Sequence, residues 1–107
     1  MIRKSKRAKA CDITPQVRRE VSERDGGICI LCGKLGEPNA HFIPRSAGGL
    51  GVAENIVTLC YGCHTRYDQT PERPYIREFL RGYLKSKYPG WVEKALYYTK
   101  YGKEENK

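Results

Sequence analysis

Two Cys-x-x-Cys pairs, Cys29-Ile30-Leu31-Cys32 and Cys60-Tyr61-Gly62-Cys63, and two histidines, His41 and His64, carry most of the reactive chemistry of this 107-residue chain. Two residues between cysteines let a tight turn aim both sulfurs at one ion, and Gly33 lets the backbone turn sharply behind the first pair. One such pair alone is equally a redox dithiol. A second pair with the same spacing completes the four thiolates of a tetrahedral site, so a structural four-cysteine Zn²⁺ is expected. The histidines suit a different task. Hydrolysis of a phosphodiester needs a base near neutral pH, which imidazole supplies, and a cation to stabilise charge on the leaving oxygen.

The elements that must position these groups follow from local pattern. Thr14-Pro15 starts a helix, with Thr14 as N-cap and Pro15 at the first helical position. That helix runs to about Arg24, with Val17 and Val21 on one face, arginines on a solvated face and Gly26-Gly27 as its end. Asn39 to Ile43 reads as a strand, Ser46 to Gly51 as a glycine-rich turn, and Ile56 to Leu59 as the returning, β-branched strand. From Tyr61 a helix carries His64 and, one turn later on the same face, Asp68, until Thr70-Pro71 stops it. Ile76, Phe79, Leu80, Tyr83 and Leu84 form the apolar stripe of a further helix. After Pro89-Gly90, the residues Trp91, Val92, Ala95, Leu96 and Tyr98 predict a second short one.

Composition bounds what this unit can be. One small domain with 39% hydrophobic residues, two Phe and one Trp has a thin core, which is where a metal staple helps. No apolar signal region follows the basic start and no run is long enough to span a membrane. A cytoplasmic location is therefore expected, where paired cysteines favour metal over disulfides. Twenty Lys and Arg against 12 Asp and Glu give a net charge of +8, which favours a polyanionic partner, nucleic acid first, without identifying it. Residues 1–12 read as a disordered basic arm in which Arg3, Lys4, Lys6 and Arg7 are DNA-binding candidates, and Cys11 as a free thiol. Arg45 is a candidate phosphate clamp. The remainder divides into a domain over 13–101, with a core at 28–70 and C-terminal helices at 72–101, and a frayed tail at 102–107.

In order along residues 29 to 68, Cys-x-x-Cys, His-Phe-Ile-Pro-Arg-Ser with Gly-Gly, Glu-Asn-Ile-Val and Leu-Cys-x-x-Cys-His resemble the His-Asn-His (HNH) endonuclease family. The resemblance implies an α+β fold: a small ββα-metal core stapled by the four-cysteine zinc and flanked by N- and C-terminal helices. It makes His41 the general base and Asn55 the residue that steadies the loop holding it. His64 becomes a ligand of a catalytic divalent metal (Mg²⁺, Mn²⁺, Ni²⁺ or Zn²⁺), and Asp68 stands where some members carry a second ligand. Many members have Asp or His immediately before the catalytic His, as a metal ligand, and here that residue is Ala40. An Ala40→Asp change is expected to tighten the metal, with Glu37 and Asn39 as possible substitutes in the parent chain. Small proteins of this pattern are familiar from phages and prophages, some beside DNA-packaging genes, so a terminase or other packaging protein is a candidate partner. The rivals to a DNA endonuclease are non-catalytic: a zinc-stapled DNA-binding protein whose metal site decayed at position 40, and a packaging accessory protein that works mainly through protein contacts.

Overall fold

The computed structural model describes residues 5–99. At its centre is a two-stranded antiparallel sheet of β1 (Glu37–His41) and β2 (Ile56–Leu59), with His41 opposite Ile56 and Ala40 opposite Val57. A register shift lies between Glu37 and Ala40. β2 is buried on both faces, as its Ile-Val-Thr-Leu sequence requires. On β1, Ala40 belongs to the core, which the chain continues with Phe42 and Ile43 just beyond the strand, while Asn39 and His41 lie on the opposite side.

Helices cover the sheet. α2 (Pro15–Asp25) has Thr14 accepting from the Val17 N–H as its cap and ends at Gly26 in the left-handed region, φ 72°. The solvated face expected for its arginines fails at Arg24, whose side chain is 10% exposed. Arg24 donates to the carbonyls of Ala53 and Ile56 (2.9 and 2.7 Å) and pairs with Asp25, which in turn accepts from the Thr58 N–H and the Tyr83 hydroxyl. Burial alone would raise the Asp25 carboxyl, but Arg24 and Tyr83 hold it below its ordinary value.

α3 (Tyr61–Gln69) follows β2 directly, and its C-cap is Thr70. The Tyr67 hydroxyl donates to the Phe42 carbonyl (2.7 Å) from a fully buried position, fastening α3 to the chain just after β1. α4 (Arg73–Lys87) buries Ile76, Leu80 and Leu84, whereas Phe79, expected in the apolar stripe, is 50% exposed. The second C-terminal helix is replaced by a 3₁₀ turn, Glu93–Leu96. Its neighbours pair with the glycine-rich turn instead: the Leu50 N–H bonds the Leu96 carbonyl and the Tyr98 N–H the Gly48 carbonyl, at 2.9 and 2.8 Å.

The N-terminal segment departs most from expectation. The reading of residues 1–12 as a disordered arm gives way, from Lys6 to Cys11, to a helix, α1, capped by the Ser5 hydroxyl on the Ala8 N–H. Its order comes from docking. Cys11 is buried, the Gly51 N–H bonds the Ala10 carbonyl (2.9 Å), and a Cβ on Gly51 would lie 1.9 Å from the Asp12 carbonyl oxygen. A count of apolar residues misses this anchor, because it is made of backbone groups. Arg3, Lys4 and the tail at 102–107 lie outside the described residues.

Candidate active site and metal centre

The four cysteines come from the loop after α2 and from the junction of β2 with α3. Their sulfurs all lie within 4.8 Å of one another, with Cys32 Sγ and Cys60 Sγ 3.6 Å apart. Cys60 is also the N-cap of α3 and accepts from the Cys63 N–H at 3.4 Å. Burial opposes ionisation of Cys29, yet the backbone N–H groups of Cys60, Cys32 and Leu31 pull its pKa down to about 6. Burial and the three neighbouring sulfurs push Cys63 up to about 12. The backbone N–H of Cys63 lowers Cys60 too, and thiolates crowded this closely are relieved by a cation, so the donor set fits a tetrahedral metal that accepts sulfur.

A second constellation lines a cleft of about 950 Å³, with Asn39 and His41 from β1, His64 and Asp68 from α3, Arg18 from α2, Arg73 from α4, and Asp12 and Arg45 from the connecting segments. His64 Nε2 is 3.2 Å from Asp68 Oδ2, the i, i+4 pairing that the helix dictates. His41 Nε2 lies 2.9 Å from the Cys11 carbonyl oxygen. A carbonyl only accepts, so Nε2 carries the ring proton and Nδ1 keeps its lone pair. Burial, with Arg45 and His64 alongside, holds the imidazole pKa below its ordinary value, against the opposing pull of the Cys11 carbonyl and Asp68. His41 is therefore held as a neutral imidazole whose Nδ1 can accept a proton.

Asn55 sits behind the cleft, fully buried. Its Nδ2 donates to the carbonyls of Ile43 (3.1 Å) and Leu50 (2.9 Å), its Oδ1 accepts from the Ile43 N–H (2.8 Å), and its own carbonyl takes the Phe42 N–H. One side chain thus ties both ends of the turn that follows His41. The turn depends on glycine, since a Cβ at position 49 would stand 1.7 Å from the Ile43 carbonyl oxygen.

Other sequence-predicted residues land elsewhere. Ala40, the position expected to bear on the metal, is fully buried among the apolar core residues, so the carboxylate introduced by Ala40→Asp would enter the core and not the cleft. Glu37 does not line the cleft, and Asn39 does. Arg45 lines it too, but it pairs with Asp12 (3.0 Å) and donates to the Cys11 carbonyl (2.9 Å). Arg7 donates to the carbonyls of Arg45 and Ser46, while Lys6 is exposed. Sequence reasoning missed Arg18, Arg73 and Tyr67. Arg73 stacks 4.2 Å from the Tyr67 ring centroid and donates to the Tyr67 carbonyl, a contact that only the turn between α3 and α4 creates.

With this geometry in place, the family model for HNH endonuclease matches residues 29–80, which contain both constellations apart from the α1 and α2 contributions. The chain belongs to the HNH endonuclease family. It is 32% identical over 54 residues to anaredoxin from Nostoc sp. (strain PCC 7120), covering 49% of this chain and 71% of that one. It is also 32% identical over 76 residues to the type IV methyl-directed restriction enzyme EcoKMcrA of Escherichia coli (strain K12), covering 62% of this chain. The chain spans only 27% of that enzyme's length. Among the described residues, no helix of this HNH protein is long and apolar enough to cross a membrane.

Proposed function

We propose that this HNH protein is a metal-dependent endonuclease that hydrolyses phosphodiester bonds of double-stranded DNA with little sequence preference, and that its four cysteines hold a structural zinc. The observation that carries the reading is one cleft shared by a histidine with a free Nδ1 and by a His64–Asp68 pair on the facing helix. A divalent cation held by His64 and Asp68 supplies charge stabilisation for the leaving oxygen when bound.

The chain's own groups do the rest. His41 Nδ1 takes a proton from the attacking water as its oxygen bonds to phosphorus, while the bond from phosphorus to the leaving deoxyribose oxygen breaks and solvent returns a proton to that oxygen. The Cys11 carbonyl holds the imidazole in the required tautomer, and Asn55 keeps the following turn from carrying His41 away. Arg18 and Arg73 supply positive charge where phosphate oxygens must lie. The rival reading of a non-catalytic DNA-binding protein rests on the missing carboxylate at position 40, yet Ala40 lies on the core side of β1. Of the biological settings, a restriction-like role has the support of the similarity to EcoKMcrA.

Plasmid cleavage with added Mg²⁺, Mn²⁺ or Ni²⁺ tests the proposal. Cleavage should be present in the parent and about 10²–10⁴-fold slower in His41→Ala, the usual weight of a general base. A parent that binds plasmid and leaves it intact with all three ions overturns it.

A further inference from the structure

Two buried side-chain atoms have no hydrogen-bond partner among the described residues, Thr58 Oγ1 and Asn39 Oδ1. Thr58 lies within β2, away from the cleft, whereas Asn39 lines the cleft together with His41, His64 and Asp68. A buried amide oxygen without a donor costs free energy, and native structures rarely leave one so unless something else fills the role. His64 and Asp68 alone offer a divalent ion one nitrogen and one carboxylate from protein, few for an octahedral cation. The neighbouring position, Ala40, points into the core and has no donor atom.

Resting on the reading of the cleft as a divalent-metal site, we propose that Asn39 is a third protein ligand of that ion, through its amide oxygen. The strand makes this the natural position: alternation puts Asn39 with His41 on the cleft side, while Ala40 and Phe42 go to the core. An amide oxygen is a neutral, hard ligand of the kind Mg²⁺ and Mn²⁺ accept, so the ligand set has one carboxylate, Asp68, the cleft's other carboxylate, Asp12, being paired with Arg45, and it binds its ion weakly. The ion in turn gives the orphaned oxygen its partner.

The test is Mn²⁺ binding, read by electron paramagnetic resonance of the free ion in DNA-free protein whose cysteine site is loaded with zinc. Asn39→Leu, which fills the same space without an oxygen, should weaken Mn²⁺ by at least about tenfold, the scale on which metal sites respond to loss of a supporting group. Asn39→Asp, which adds a charge at the same place, should tighten it. Asn39→Leu protein that binds Mn²⁺ like the parent overturns the proposal and leaves the oxygen as a plain packing defect. Should Asn39→Leu fail to fold, Asn39→Asp decides: affinity equal to or below the parent's overturns it. Because no step of the assay involves cleavage, an inactive parent whose Mn²⁺ affinity follows these variants would sink the nuclease reading and leave Asn39 as a ligand.

Discussion

The cysteine site and the histidine cleft share one short helix, on which Cys63 and His64 are neighbours, and they are built on different principles. The cysteines gather within 4.8 Å from two tight turns, each pair specified by four consecutive residues, and their only long-range requirement is that β2 return beside the loop after α2. The cleft draws on β1, α3, α2, α4 and the carboxyl end of α1, and its key contact joins residues 30 apart in sequence, His41 and Cys11. A site made of local turns is a staple. A site made of convergent elements is only as good as the packing behind each of them, so the first failure expected in one is loss of fold and in the other loss of rate.

That difference predicts its own largest break. Cys63→Ser removes a buried ligand from the staple, and because a structural zinc contributes roughly 10 kcal/mol or more to a small domain, the variant should be unfolded or aggregated. Circular dichroism and bound zinc per chain measure this. A soluble Cys63→Ser protein that melts cooperatively without metal would make the cysteines ornamental. Next in size is Ala40→Asp. Placed in the core with no cation beside it, a carboxylate there should cost about 3–5 kcal/mol of stability and bring no gain in Mn²⁺ affinity, reversing what the motif suggests. A parent-like melting temperature with tighter Mn²⁺ would show that position 40 does reach the metal.

How much of this was readable beforehand tracks the same division. Cap and stop residues placed α2 and the end of α3 closely, because Thr14, Pro15, Gly26 and the residues around Thr70 act on the backbone within a few positions. The four-cysteine set was equally legible. Of the cleft, His41, His64, Asp68, Asn39 and Arg45 were legible, whereas Arg18 and Arg73, plain helix arginines by type and spacing, were not. Arg24 was misread as solvated because a charged helix residue gives no sign that a partner helix will bury it against Tyr83 and Tyr88. The ordering of α1 was invisible for a related reason. Its anchors are carbonyl oxygens, and these look alike in every sequence.

A gentler break tests that anchoring. Gly51→Ala puts a Cβ within 1.9 Å of the Asp12 carbonyl oxygen and 2.9 Å of that of Cys11, so the end of α1 must move and take the His41 acceptor with it. Misplacement of a catalytic base by about 1 Å costs on the order of 100-fold in rate. Cleavage should fall by about that factor while zinc content and the far-ultraviolet spectrum stay those of the parent. If the rate is unchanged, the Cys11 carbonyl is not what orients His41.

The smallest effect separates two arginines of the one cleft. Arg45 is committed to Asp12 and the Cys11 carbonyl, whereas the guanidinium of Arg18 has no hydrogen bond or ion pair among the described residues and remains free to meet a phosphate. Arg18→Ala should therefore weaken DNA binding a few-fold, alike for all sequences, and lower the slope of log affinity against log salt by about one, the signature of a single lost phosphate contact. Arg45→Ala should act through the segment it ties down, slowing cleavage at saturating DNA more than it weakens binding. Measured on the His41→Ala background for binding and the parent background for rate, the two variants should give opposite patterns. If Arg18→Ala leaves the salt slope untouched and Arg45→Ala lowers it, the phosphate sits against Arg45 after all, and its pairing with Asp12 must give way when DNA arrives.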